Sequence, residues 1–208
     1  MPALTWCSST VIEHMEAYSS SKPKHAVAYF YFDFNDTEKQ NAANCVSSLI
    51  AQLCSQVADL PEKLKDLYKR CNNGNQKPPI HDLKEMLLLF AKSKEFDDVF
   101  IIFDAVDECP KNERGELRAE VLELIIEINN QSSSSMHLLI TSRPEQDIKE
   151  KLMGLPTLGS LSIQGSQVDS DIQRYIGSQL SIDPKLNKLS IDVKAAIEKT
   201  LMDGADGM

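Results

Sequence analysis

The chain has 208 residues, 42% of them hydrophobic and 25% charged, enough apolar material for one ordinary core, and the composition excludes disorder or a fibrous repeat. Its net charge of −9 opposes binding to phosphate backbones, and no Lys/Arg block is dense enough to make a local exception, so nucleic acid is excluded as an expected partner. No apolar run approaches the roughly 18 to 20 residues that span a bilayer, and residues 1–7 lack the basic start and apolar centre of a signal peptide, so the expectation is a cytoplasmic protein without a membrane partner.

Ser8 to Ser20 opens on Ser/Thr cap candidates and carries Val11, Ile12 and Met15 on one face, which predicts a short amphipathic helix ending in the break at 19–23. Ala26 to Phe34 reads as a strand apolar on both faces, as buried parallel strands are, with Asp33 near its carboxyl end. Cys45, Val46, Leu49, Ile50 and Leu53 then recur at helical spacing. Leu60 to Cys71 predicts a second helix, stopped by Asn72-Asn73-Gly74, and Ile80 to Ala91 a third.

The apolar run from Val99 to Asp104 is a strand, Leu117, Val121, Leu122, Ile125 and Ile128 mark the next helix, and Met136 to Thr141 is another strand. Leu158 to Ile163 predicts a weaker last strand. Ser166 and Asp169 precede Ile172, Tyr175, Ile176 and Leu180 as a helix start, and Ile191 to Leu201 repeats the helical period. The five cysteines, at 7, 45, 54, 71 and 109, contain no C-x-x-C pair, and Cys45 on an apolar helical face is expected to be a reduced core thiol.

Strands joined by helices of this length imply a parallel sheet with right-handed crossovers, and ligands of such sheets bind beyond the carboxyl ends of the strands. Three of the four expected strands end there in polar residues: Asp33, Asp104, and Thr141-Ser142-Arg143.

The strand ending in Asp104 carries the most chemistry. A carboxylate at a buried strand tip suits magnesium, a hard cation that prefers oxygen and bridges the phosphates of a nucleotide; the competing reading is an Asp that caps the following turn. Ala105 leaves room beside the metal. Asp107 and Glu108, three and four positions on, supply a second carboxylate that can polarise or position an attacking water. The cation of Thr141-Ser142-Arg143 can sense a γ-phosphate, or else simply pair with a surface carboxylate.

Taken together these segments resemble the NACHT domains of the STAND class of signalling NTPases, especially the fungal and nephrocystin-like ones. Residues 8–14 resemble the helix after the phosphate loop, and residues 29–34 the family's second strand. Residues 101–109 resemble its acidic motif, residues 141–144 its sensor strand, and residues 203–208 the start of a motif that continues into a helical region. The resemblance implies a P-loop NTPase-like, three-layer α/β/α fold with a parallel sheet and C-terminal helices. It also implies Asp104 as a magnesium residue acting through water, Asp107 and Glu108 in catalysis, and Thr141, Ser142 and Arg143 in nucleotide sensing, with ATP or GTP and Mg2+ as cofactors.

One part is missing. A phosphate-gripping loop needs G-x-x-x-x-G-K-[ST], and none of the eight glycines, at 74, 115, 154, 159, 165, 177, 204 and 207, is followed by lysine. The expected organisation is therefore an atypical segment over 1–7, a partial nucleotide-binding core over 8–165 without its first strand and loop, and the truncated start of a helical region over 166–208. The expected function is a partial nucleotide-binding signalling switch that handles nucleotide poorly and has little or no NTPase activity. The alternative is a catalytically dead interaction module that pairs with full-length relatives, using the backbone edge of Met136 to Thr141 that the missing strand leaves open. Either way, protein partners or self-association are expected.

Overall fold

A computed structural model describes residues 2–22, 24–93, 95–111, 116–131, 135–155, 159–161 and 166–205. The chain forms two compact units, residues 2–158 and residues 159–208. The first contains helix α1 (Pro2–Ser20), strand β1 (His25–Tyr31), helices α2 (Ala42–Cys54), α3 (Glu62–Arg70) and α4 (Ile80–Lys92), strand β2 (Asp98–Asp104), helix α5 (Glu116–Gln131), strand β3 (Met136–Ile140) and helix α6 (Gln146–Leu152). The second contains α7 (Ser166–Ile182) and α8 (Ile191–Ala205), with a 3-10 turn at Leu186–Lys188 between them.

The strands form one parallel sheet in the order β1-β2-β3, with Tyr31 opposite Asp104 and Phe103 opposite Ile140. Alternation of side chains sends the two halves of each strand to different layers. Ala26, Ala28, Phe30, Val99, Ile101 and Phe103 join the main core with Leu49 and Leu53 of α2, Leu87 and Phe90 of α4, and Val121, Leu122 and Ile125 of α5. Val27, Tyr29, Tyr31, Phe100 and Ile102 face the other way, against Val11, Ile12 and Met15 of α1. The chain is thus mixed α/β, with helices on both faces of a small parallel sheet.

One edge of that sheet is closed by side chains. The Gln52 amide accepts from the Tyr29 N–H (3.0 Å) and donates to the Tyr29 carbonyl (2.8 Å), and Gln56 does the same for Val27 (3.1 and 2.8 Å). One helical turn between the glutamines matches two residues along β1, so the α2 amides imitate a neighbouring strand.

Three expectations change. The first helix begins at Pro2 rather than Ser8, because proline is tolerated in a first turn and no breaker lies between it and Ser8. β1 stops at Tyr31 rather than Phe34, because the Asp33 carboxylate accepts from the Asn35 N–H (2.9 Å) and turns the chain. The fourth strand is absent where it can be judged: residues 159–161 join no ladder and Leu161 is exposed, while Leu158 and residues 162–163 lie outside the described residues. Among the described residues the sheet has three strands.

Candidate functional site

The carboxyl ends of all three strands carry polar groups, as the sequence implies, and the structure shows which of them meet. Asp104 ends β2 on the face that α1 covers and is 2% exposed. Its Oδ1 accepts from two hydroxyls: Ser8 Oγ, nearly two turns into α1, and Thr141 Oγ1, immediately after β3, at 2.6 Å. Thr141 also accepts from the Ala105 N–H (3.0 Å), and its own carbonyl receives the Val106 N–H (3.0 Å). The β2 and β3 tips are therefore stitched together beyond the last ladder pair.

Ala105 takes a left-handed backbone, φ 55° and ψ 48°. A small side chain reaches this region at less cost than a β-branched one, which gives the small residue after Asp104 a conformational reason as well as a spatial one. The chain then forms a 3-10 turn over Val106–Glu108 that aims the two remaining acids apart. Asp107 turns toward the β3 side, where its carboxylate accepts from the Arg143 N–H (2.9 Å) and pairs with Arg143 Nε at 3.4 Å. Glu108 reaches the opposite way and accepts from the Phe34 N–H after β1 (3.1 Å). Ser142 takes no part, its hydroxyl donating to the neighbouring Arg143 carbonyl.

Three residues of this arrangement were not singled out from sequence. Arg118, near the start of α5, is buried, and its guanidinium donates to the Cys109 carbonyl (2.7 Å) and to the Asp107 carbonyl. Its other nitrogen pairs with Glu145 and Asp147 at 3.5 Å. Lys111 pairs with the same two acids, at 3.4 and 2.8 Å. Burial works to raise the Asp147 carboxyl, but the Lys111 hydrogen bond and the Arg118 charge outweigh it and hold the group below its ordinary value. Gln40 donates to the Asp33 and Phe34 carbonyls, and its own carbonyl accepts from Cys109 Sγ (3.0 Å). The signal for Arg118 was present: it is the one charge on the stripe Arg118, Val121, Leu122, Ile125, and a charge on a buried stripe implies a polar target.

The thiols behave as core groups. Burial pushes the Cys109 thiol up to about 11 against the pull of Arg118, and raises Cys45 further. At pH 8 the Cys109 thiolate share is about one in a thousand, so iodoacetamide should leave Cys45 and Cys109 unlabelled in the native chain and reach both after denaturation. Rapid native labelling of either, read by peptide mass mapping, would contradict the packing around the acidic turn.

A carboxylate with two hydroxyls is a hard-oxygen set that fits magnesium, provided phosphate supplies further ligands, as it usually does for this ion. The protein does not provide a complete cage: among the described residues no three His, Cys, Asp or Glu side chains gather for a metal. For a triphosphate the sequence given offers no glycine followed by lysine, the pair with which a phosphate loop wraps it.

Fold and site together define an α/β protein with an acidic centre at the carboxyl ends of a parallel sheet. A family model described as nephrocystin 3, N-terminal, matches residues 5–143, more than half of the chain, and the chain belongs to that family. No curated protein and no solved structure matches it. No described helix is long and apolar enough to cross a membrane.

Proposed function

We propose that the chain carries the acidic and sensing half of a NACHT-type switch, a P-loop NTPase-like module of the STAND class, and that these 208 residues by themselves bind ATP or GTP weakly and hydrolyse neither. The observation that supports this reading most is Asp104, a buried carboxylate at a strand tip, shared by hydroxyls from α1 and from the segment after β3. In this reading Asp104 holds Mg2+ through water, Thr141, Ser142 and Arg143 register the nucleotide, and Asp107 or Glu108 positions the attacking water.

The weakness has two sources. Without a phosphate loop the charge on the triphosphate goes uncompensated by backbone N–H groups and lysine, which costs orders of magnitude in affinity. In addition, groups assigned to sensing and catalysis are already engaged within the protein, Asp107 with Arg143 and Glu108 with the Phe34 N–H. A nucleotide would have to break those contacts before gaining its own.

Titration with a fluorescent ATP analogue and Mg2+ is expected to show no binding in the micromolar range, with Asp104→Ala indistinguishable from the parent chain. Micromolar binding that Asp104→Ala abolishes would sink the claim of a disabled site.

A further inference from the structure

Residues 26–32 read Ala-Val-Ala-Tyr-Phe-Tyr-Phe, a run without a charge, a proline or a glycine, which is the composition of segments that pair readily with another strand. At a sheet edge such a strand is a template for addition, and many proteins block it with lysine, proline or a bulge on the strand itself. β1 has no room for these. Ala26, Ala28 and Phe30 pack into the main core and Val27, Tyr29 and Tyr31 pack against α1, so both faces are committed to apolar contacts.

The edge is closed from outside instead. The Phe32 N–H donates to Asp104 O (3.0 Å), which sets the phase of the ladder: even-numbered residues bond to β2, while His25, Val27 and Tyr29 turn their N–H and C=O groups outward. All six outward groups are engaged, and none of them by a strand. The His25 N–H donates to Lys22 O (3.2 Å) and its carbonyl accepts from Ser19 Oγ, while Gln56 and Gln52 each serve both groups of Val27 and of Tyr29. The two amides are themselves held in place. The second Nε2 hydrogen of Gln52 goes to Ser48 Oγ (3.2 Å), and that of Gln56 goes to the Gln52 carbonyl (3.0 Å). Each glutamine then presents one acceptor and one donor, as a strand residue would. Their spacing of four residues along a helix, about 6 Å, is close to the roughly 6.6 Å of two strand residues.

We infer that Gln52 and Gln56, oriented by Ser48 and joined by Ser19, guard β1 against strand addition, and that the amides rather than the bulk of α2 do the guarding. Gln52→Ala combined with Gln56→Ala leaves α2 seated through Val46, Leu49 and Leu53 but frees four backbone groups of β1. In sedimentation velocity this variant is expected to run as a larger species than the parent at equal concentration, and to bind thioflavin T where the parent does not. Gln52→Lys combined with Gln56→Lys removes the same acceptors but lines the edge with charge, which is a guard of another kind, so it should sediment like the parent. In the lysine variant the Val27 and Tyr29 N–H groups should exchange roughly tenfold faster than the change in global stability explains, since each has lost its acceptor. Should the double alanine variant fail to fold by circular dichroism, Gln56→Ala against Gln56→Lys, at an exposed position, makes the same comparison. An alanine variant that sediments like the parent would overturn the inference, because α2 alone would then close the edge. A lysine variant that associates as strongly as the alanine one would overturn it too, because the cause would then be lost stability. Unchanged exchange at Val27 and Tyr29 would remove the hydrogen bonds on which it stands.

Discussion

Phe103→Ala should lower the free energy of unfolding of the α/β unit by about 3 to 5 kcal/mol, read from urea titrations followed by far-UV circular dichroism. Phe103 is fully buried on the central strand, opposite Phe30 of β1 and Ile140 of β3, in the core that α2, α4 and α5 share. Deleting the ring removes its transfer energy and leaves a cavity walled by a strand on each side, where little can collapse inward. It also loosens the residue before Asp104, so the position of the acidic centre depends on the same packing. A loss below about 1.5 kcal/mol would mean that this face relaxes around the void, and that the strand tip is not rigidly held.

How much of this was legible in advance follows from the range over which each cause acts. The alternation of Val99, Ile101 and Phe103 with Phe100 and Ile102, and the helical spacing of Val121, Leu122 and Ile125, are local patterns, and the structure places those residues as the patterns require. The end of β1 was misjudged because apolar character continues to Phe34, whereas the turn is set by one carboxylate, Asp33, on one backbone N–H. The fourth strand was expected from the apolar character of Leu158 to Ile163, but a strand exists only where a ladder partner does, and residues 159–161, the described part of it, have none.

At the site, Asp104, Asp107, Glu108, Thr141 and Arg143 could be named from their place at strand ends, but not their pairing. That Thr141 serves Asp104 while Arg143 serves Asp107 depends on the register of β3 against β2 and on the left-handed turn at Ala105. Ser8 could be seen only as a cap candidate, since its contact with Asp104 spans 96 positions of sequence. The glutamine seal on β1 belongs to the same kind: Gln52 and Gln56 read as ordinary helix-surface residues until the strand beside them is known.

Arg118→Met should cost roughly 2 to 4 kcal/mol, and the loss should be concentrated at the acidic turn. Methionine keeps most of the apolar stem, so the packing against α5's neighbours largely survives and the change isolates the guanidinium. What disappears are the donors to the buried Cys109 carbonyl and to the Asp107 carbonyl, which then lie desolvated and unpaired. The ion pairs to Glu145 and Asp147 contribute less, since those carboxylates are 42% and 35% exposed and Lys111 still serves both. The pH dependence carries a definite sign. Arg118 is among the groups that hold the Asp147 carboxyl below its ordinary value of 3.8, so this part of the stabilisation is present above that value and is lost as pH falls through the lower, folded value. The gap between parent and variant should therefore narrow in strong acid. Hydrogen exchange locates the effect: the Phe34 and Arg143 N–H groups, bonded to Glu108 and Asp107, should exchange faster in Arg118→Met by more than the global loss explains. If they speed up only in proportion to the loss of global stability, the turn is held by Thr141 and Gln40 instead. If they exchange as expected, one buried arginine fixes both carboxylates that the nucleotide reading assigns to catalysis, and through Glu145 and Asp147 it also fixes the segment that follows Arg143.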